Sequence, residues 1–338
     1  MKHNLKILLA IILVFMFCSV ATAAKYKFRV AYTDAPRLKV GNEKLVHVTV
    51  AAVYAFDDSV NAMTGGAFDV QFKHSGVLGG QIETIDQVLA GAIEATTPAI
   101  PALAGYFPQV QILSIPYLWD NPVVAWEVLD GEFGQKFFDR MAKESNLRVI
   151  AIFDNGGYRN FSNNVRLVKT PADMKGIKIR TMESPAQMKI VESLGAAPTP
   201  IAWKELYSSL QTGVVDGQEN PLMNIHASKL FEVQKFISLT GHKYEMTPFL
   251  MSKRTWDRLA EADRKLVQEA ATEATALQRK LSKESDDMLV ADLKAKGVQV
   301  DAVDKASFQR ATASVVAKWE GSPIGAFVKQ VVAAARAQ

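Results

Sequence analysis

The sequence predicts an α/β fold built twice, on three observations: strand and helix patterns alternate, the alternation restarts near residue 148, and two distant segments share one local plan. A chain of 338 residues also favours two domains over one. In the first half, Lys27-Phe28-Arg29-Val30-Ala31-Tyr32 alternates as a strand does, and a mostly apolar stretch from Leu45 to Met63 has helical length before Gly65-Gly66. Phe68-Asp69-Val70-Gln71-Phe72 is a second alternating strand, Gln81 to Ala90 a helix stopped by Gly91, and Ala92-Ile93-Glu94-Ala95 a further strand. Such a βαβα order makes a mainly parallel sheet with helices on both faces.

From Arg148 the same grammar returns. Val149-Ile150-Ala151-Ile152-Phe153 reads as an apolar strand running into a loop, Asp154-Asn155-Gly156-Gly157-Tyr158-Arg159. Thr170-Pro171-Ala172-Asp173 reads as a capped turn, closed by Gly176 before the strand Ile177-Lys178-Ile179-Arg180. Ser184-Pro185-Ala186-Gln187 opens a helix with a Ser cap, Pro at the first helical position and Gln placed for a capping box. Trp203, Leu206, Tyr207 and Leu210 share one face of the next helix, which Gly213 ends. The shared plan joins Val88-Leu89-Ala90-Gly91-Ala92-Ile93-Glu94 to Leu210-Gln211-Thr212-Gly213-Val214-Val215-Asp216: a helix end, a glycine, and a short strand carrying an acid. From Glu261 to Lys296 neither Pro nor Gly intervenes, enough for a helix of roughly 50 Å. It either spans both domains or breaks into two helices.

The N-terminus has the form of a secretory signal: Lys2 and Lys6, an apolar run from Ile7 to Cys18, and small residues allowing cleavage after Ala23 or Ala24. The run is too short for a bilayer, which needs roughly 20 residues. Cys18 is the only cysteine, and Phe17 precedes it where a lipoprotein carries a small residue, so neither lipid nor disulfide is expected in the mature chain. The expected destination is the periplasm. Without Lys2 and Lys6, 37 Lys and Arg face 35 Asp and Glu, a near balance that argues against a nucleic-acid binder.

Catalytic signatures are missing from the sequence: there is no G-x-S-x-G elbow, H-E-x-x-H, phosphate loop or G-x-G-x-x-G. The histidines are far apart, so neither a metal nor another cofactor is expected. Arg180 stands out at the carboxyl end of a strand, where open α/β sheets bind ligands and an arginine can grip a carboxylate. By local pattern alone, a structural salt bridge serves as well. Arg159, with neighbouring Tyr158, follows a strand end in the same way. Asn220 either donates to a ligand or caps a turn, and Trp203 either lines a pocket or belongs to the core.

Asp173 to Arg180, Leu194-Gly195-Ala196-Ala197-Pro198-Thr199-Pro200, Glu205-Leu206-Tyr207 and Leu210 to Pro221 together resemble the signature of the DctP-type solute-binding proteins of tripartite ATP-independent periplasmic (TRAP) transporters. Leu78-Gly79-Gly80 and Ile115-Pro116-Tyr117-Leu118 extend the resemblance into the first half. It implies a two-lobed periplasmic binding protein fold with the ligand cleft between the lobes and a long helix spanning both. Expected boundaries are 25–155 plus 245–285 for lobe I and 156–244 plus 286–338 for lobe II. The resemblance further implies a carboxylate on Arg180, Arg159 as a second cationic contact, Asn220 as a polar contact, Trp203 as an aromatic wall, and TRAP membrane subunits as partners.

Sialic-acid-binding members carry a glutamate near the position of Ala99. Together with Trp203 and Tyr158, its loss suggests a monocarboxylate with an apolar or aromatic body rather than a heavily hydroxylated sugar acid. Two other readings stay open at this point: a ligand-binding partner of a periplasmic sensor, and an enzyme acting on a carboxylic acid, which would need a nucleophile or base beside the arginines.

Overall fold

In the computed structural model, which describes residues 24–40, 43–283 and 286–337, strand β1 (Tyr26–Ala31) precedes a two-stranded ribbon, β2 (Arg37–Val40) and β3 (Glu43–Val46), and helix α1 (Val48–Thr64). The expected signal segment and Cys18 lie outside the described residues. Strand β4 (Phe68–Lys73) pairs parallel to β1, and after helix α2 (Gln81–Ala90) strand β5 (Ala95–Thr96) pairs on β1's other side. The strand expected from Ala92 is thus only two residues long. Ala92 and Ile93 instead donate their N–H groups back to the Gln87 carbonyl, closing the end of α2.

Helices α3 (Pro122–Asp130) and α4 (Glu132–Ser145) lead into β6 (Leu147–Asn163). The loop expected at Asp154 to Arg159 is in fact continuous strand. Asp154 Oδ1 accepts from the N–H groups of Gly156 (2.6 Å) and Gly157 (2.7 Å), both at positive φ (92° and 89°), so the chain bulges without leaving the sheet. Next come β7 (Lys178–Thr181), α5 (Pro185–Ser193), β8 (Ala197–Pro200), α6 (Leu206–Gln211), β9 (Gly217–Pro221) and α7 (Leu222–Ala227). Ser184 does precede α5, but its hydroxyl makes no capping bond and lies buried without a partner, as does Gln187 Nε2, so the expected capping box is absent. The strand expected from Val214 starts only at Gly217. There β6 passes so close that a Cβ would lie 2.2 Å from the Ser162 carbonyl oxygen.

Strand β10 (Phe236–Ser252) runs antiparallel beside β6, with register shifts between Ser238 and Lys243 and between Tyr244 and Met246. The second of these shifts lies opposite the Gly156-Gly157 bulge. The sheet order is β4-β1-β5-β10-β6-β9-β7-β8, with β11 (Gln299–Ala302) also on β10, so the two long strands belong to both ends of the sheet. The parallel pairs expected from the sequence are present at each end, joined by this antiparallel crossing.

After α8 (Lys253–Arg258), the charged helical stretch consists of α9 (Glu261–Lys283) and α10 (Asp286–Ala295). Ala270, Ala271 and Ala274 of α9 pack among Phe28, Phe56 and Phe249 in the core at one end of the sheet. Leu289 and Leu293 of α10 pack with Leu206 and Leu210 at the other. Burying one such leucine contributes roughly 1.5–3 kcal/mol, so the stretch is fastened into two separate cores. Helix α11 (Lys305–Glu320) adds Phe308 to a second-lobe core with Phe161 and Ile179, whereas Val328 and Val331 of α12 (Gly325–Arg336) return to the first lobe beside Phe107 and Phe137.

Candidate functional site

Arg180 emerges near the carboxyl end of β7 and is 1% exposed. Its Nε donates to the Ile201 carbonyl (2.8 Å), which fixes the guanidinium plane, and its carbon lies 5.7 Å from the centroid of the Trp203 ring. Nη1 is buried and donates to nothing among the described residues. Burial, with the Arg159 charge close by, pulls Arg180 down to about 10, still protonated at neutral pH.

Arg159, on β6, is equally buried but fully engaged. Its Nε donates to Glu219 Oε2, its Nη1 to Glu245 Oε2 (2.6 Å), and its Nη2 to both the carbonyl and Oε1 of Glu219. Burial disfavours its charge, but the two carboxylates outweigh that and hold its pKa above the ordinary value. Glu219 is in turn pressed up by burial yet drawn down to about 2 by Arg159 and His242. Lys243 Nζ reaches Glu245 at 3.0 Å, and the His242 ring stacks on Phe161 at 4.4 Å. Glu219 lies on β9 and Glu245 and Lys243 on β10, so the cluster ties together strands at the crossing.

A cavity of about 300 Å³ opens beside Arg180, between Gly80, Gln81 and Glu83 of the first lobe and Ile201, Trp203 and Lys204 of the second. A second cavity, of about 290 Å³, lies across Trp203 and is lined by Thr33, Gly76 and Tyr207 among others. Lys204 and Glu83 bridge the cleft mouth at 3.2 Å with both side chains more than half exposed. Trp203 therefore forms a wall between two cavities. Its turn, Trp203–Glu205, leaves the ring half-buried, packed on one side against the core of Leu206, Leu210, Leu289 and Leu293.

The other expected residues sit elsewhere. Asn220 is buried on β9 opposite Asn160, and its Nδ2 donates to Gln218 Oε1. Tyr158 packs at 5.3 Å against Tyr244 and donates its hydroxyl to the Trp119 carbonyl (3.0 Å), on the first-lobe side. Ala99 donates its N–H to Gln81 Oε1 (3.0 Å), so the cavity's own glutamine is fixed from the Ala99 loop.

Sequence reasoning missed Asp34, just beyond the carboxyl end of β1. It is 4% exposed, its Oδ2 accepts from Asn224 Nδ2 of α7 at 3.3 Å, and the Tyr32 hydroxyl and Trp203 indole lie close by. Asp34 Oδ1, Asn224 Oδ1 and the nearby Asn155 Oδ1 are buried acceptors without an aligned donor among the described residues. Asn224 Oδ1 stands about where a Cβ on Gly156 would press, 3.0 Å away, so this acceptor-rich end lies against the strand bulge. The signal available in sequence was the one used for Arg180, a polar residue just past a strand's carboxyl end.

An unpaired buried cation facing a cleft between two α/β lobes, with no cluster of three metal-ligating side chains among the described residues, defines a binding protein for a small anion. The chain belongs to the DctP family, described as "Bacterial extracellular solute-binding protein, family 7", whose profile matches residues 42–322. It is the periplasmic solute-binding protein type of TRAP transporters. It is 38% identical over 285 residues to a solute-binding protein of Verminephrobacter eiseniae, covering 84% of each. A TRAP solute-binding protein of Polaromonas sp. JS666 bound to D-erythronate has a TM-score of 0.84 at 32% identity, over 91% of this chain and 98% of that one. The sugar acid binding protein DctPAm of Advenella mimigardefordensis, in complex with galactonate, gives 0.85 at 28% identity, over 93% and 98%.

Proposed function

We propose that this protein captures a hydroxylated monocarboxylate, with the carboxylate on Arg180, and delivers it from the periplasm to TRAP membrane subunits. The observation that carries the reading is the buried, unpartnered Nη1 of Arg180 beside the inter-lobe cavity. A buried donor left unmade costs about 1–3 kcal/mol, a cost that a bound carboxylate removes. Arg159 acts as a second positive charge behind the anchor, since Glu219 and Glu245 occupy most of its N–H groups. Arg180, buried at the cavity without a carboxylate partner among the described residues, matches one ligand carboxylate.

Asp34, Asn224 and Asn155 offer acceptors where the sequence suggested an apolar or aromatic body, so ligand hydroxyls are the better fit. The sugar acids bound by the Polaromonas and Advenella proteins support that choice. Trp203 supplies the wall, and Asn220 orients β9 behind Arg159. On this reading the chain binds its acid without transforming it, as a member of a family of solute-binding proteins.

Thermal-shift screening of ligand-stripped protein against acids and their neutral amides tests this. At a hundred times its dissociation constant an acid adds about 2.7 kcal/mol of stability. A shift with D-erythronate, D-galactonate or another hydroxy acid, absent with the amide, is expected. Equal shifts with acid and amide would rule out carboxylate anchoring.

A further inference from the structure

We infer that a carboxylate seated on Arg180 is taken up together with a proton that lodges on Asp34. The inference rests on the proposed function and concerns the charge balance of the same site. The buried polar core contains three cations, Arg159, Arg180 and Lys243, against the carboxylates Glu219, Glu245 and Asp154. His242 is buried, which lowers its pKa and keeps it neutral. These cations and carboxylates balance, so an ionised Asp34 already leaves the ligand-free site with one negative charge in excess. A ligand carboxylate brings a second excess negative charge against these buried groups, unless a proton accompanies it.

The surroundings of Asp34 assign the proton to it. From its own strand it faces the Tyr32 hydroxyl, itself beside His47 at the start of α1, where burial pulls the imidazole down to about 3 and so keeps it neutral. From α7 and the 203–205 turn it faces the neutral Asn224 and Trp203, and from β6 and β7 the charges of Arg159 and Arg180. Burial pushes Asp34 up to about 6 despite the help of these neighbours. A new anion on Arg180 cancels the positive field that reaches Asp34 and raises it further. Asp154 is the other buried carboxyl nearby, and it too is raised by burial. Its oxygens, however, already accept from Gly156, Gly157 and Tyr244, whereas Asp34 Oδ1 has no aligned donor. Glu183, which acts on Arg180, is exposed and solvated. The step is a protonation alone: the Asp34 carboxylate gains H⁺ from the buffer as the anion enters.

The test is isothermal titration of the wild-type protein with D-galactonate, D-erythronate and acetate in two buffers of different ionisation enthalpy, at pH 7. Net uptake approaching one proton is expected, with the dissociation constant rising towards tenfold per pH unit above neutrality. In Asp34→Asn, which keeps the amide oxygen and mimics the protonated acid, uptake and pH slope disappear. Binding with no proton uptake by the wild type, or the same uptake in Asp34→Asn, overturns the inference and leaves the proposed function standing. Failure of all three acids and of a wider panel of carboxylates to bind overturns both.

Discussion

Two buried arginines 21 residues apart have opposite electrostatic situations, and removing each in turn separates a structural from a ligand-binding role. Arg159→Ala leaves Glu219 and Glu245 buried without their main partner, although His242 and Lys243 remain. Breaking a buried pair from one side costs about 3–5 kcal/mol. For a chain of this size each kcal/mol lowers the melting temperature by roughly 2 °C, so a fall of roughly 6–10 °C is expected. Arg180→Ala removes one bond to the Ile201 carbonyl and the contact with Trp203, but it also removes a buried donor that nothing accepts from. These effects offset to within about 1 kcal/mol, or roughly 2 °C. Its cost falls on the ligand: two charge-assisted hydrogen bonds at about 1.5–3 kcal/mol each raise the dissociation constant by roughly 10²–10⁴. Differential scanning fluorimetry with and without a bound acid reads both quantities. Equal destabilisation by the two substitutions, or an undiminished ligand shift in Arg180→Ala, would refute the division of labour.

Trp203→Ala opens the wall between the two cavities and removes the ring beside Arg180, so affinity falls by about tenfold; tryptophan-independent calorimetry measures it. Because Asp34 has a folded pKa near 6, above its unfolded value, its contribution is fully present below about pH 4 and is lost as pH rises through 6. Denaturant midpoints of ligand-free wild type should therefore decline over that window by up to about 3 kcal/mol relative to Asp34→Asn, and parallel pH curves would contradict the assignment. Gly156→Ala forces a side chain into φ 92° with its Cβ 2.7 Å from Met223 Cβ, at a cost of at least about 1–3 kcal/mol, visible as a lower melting temperature.

Local pattern carried much of the fold because its determinants are local. Alternation marked β1 and β4, glycines marked the ends of α1 and α2, and the helical stretch from Glu261 was evident from composition. Errors arose where a distant segment overruled a local preference. Gly156-Gly157 reads as a loop, but β10 pairs alongside and Asp154 gathers the two freed N–H groups, so the strand continues. Ser184 and Gln187 have the right spacing for a capping box, yet the packing of α5 leaves both side chains buried and unpaired.

By itself the sequence determined the α/β class, the family, and the address of Arg180 at the end of a strand. Only the tertiary structure decided which arginine is spoken for. Arg159 and Arg180 follow strand ends alike in sequence, but Glu219 and Glu245 come from β9 and β10, 60 and 86 residues beyond Arg159, and close on it alone. Asp34 likewise meets Asn224 from 190 residues away. Charge balance in a buried site is a sum over segments that the fold brings together, and no window of sequence contains that sum.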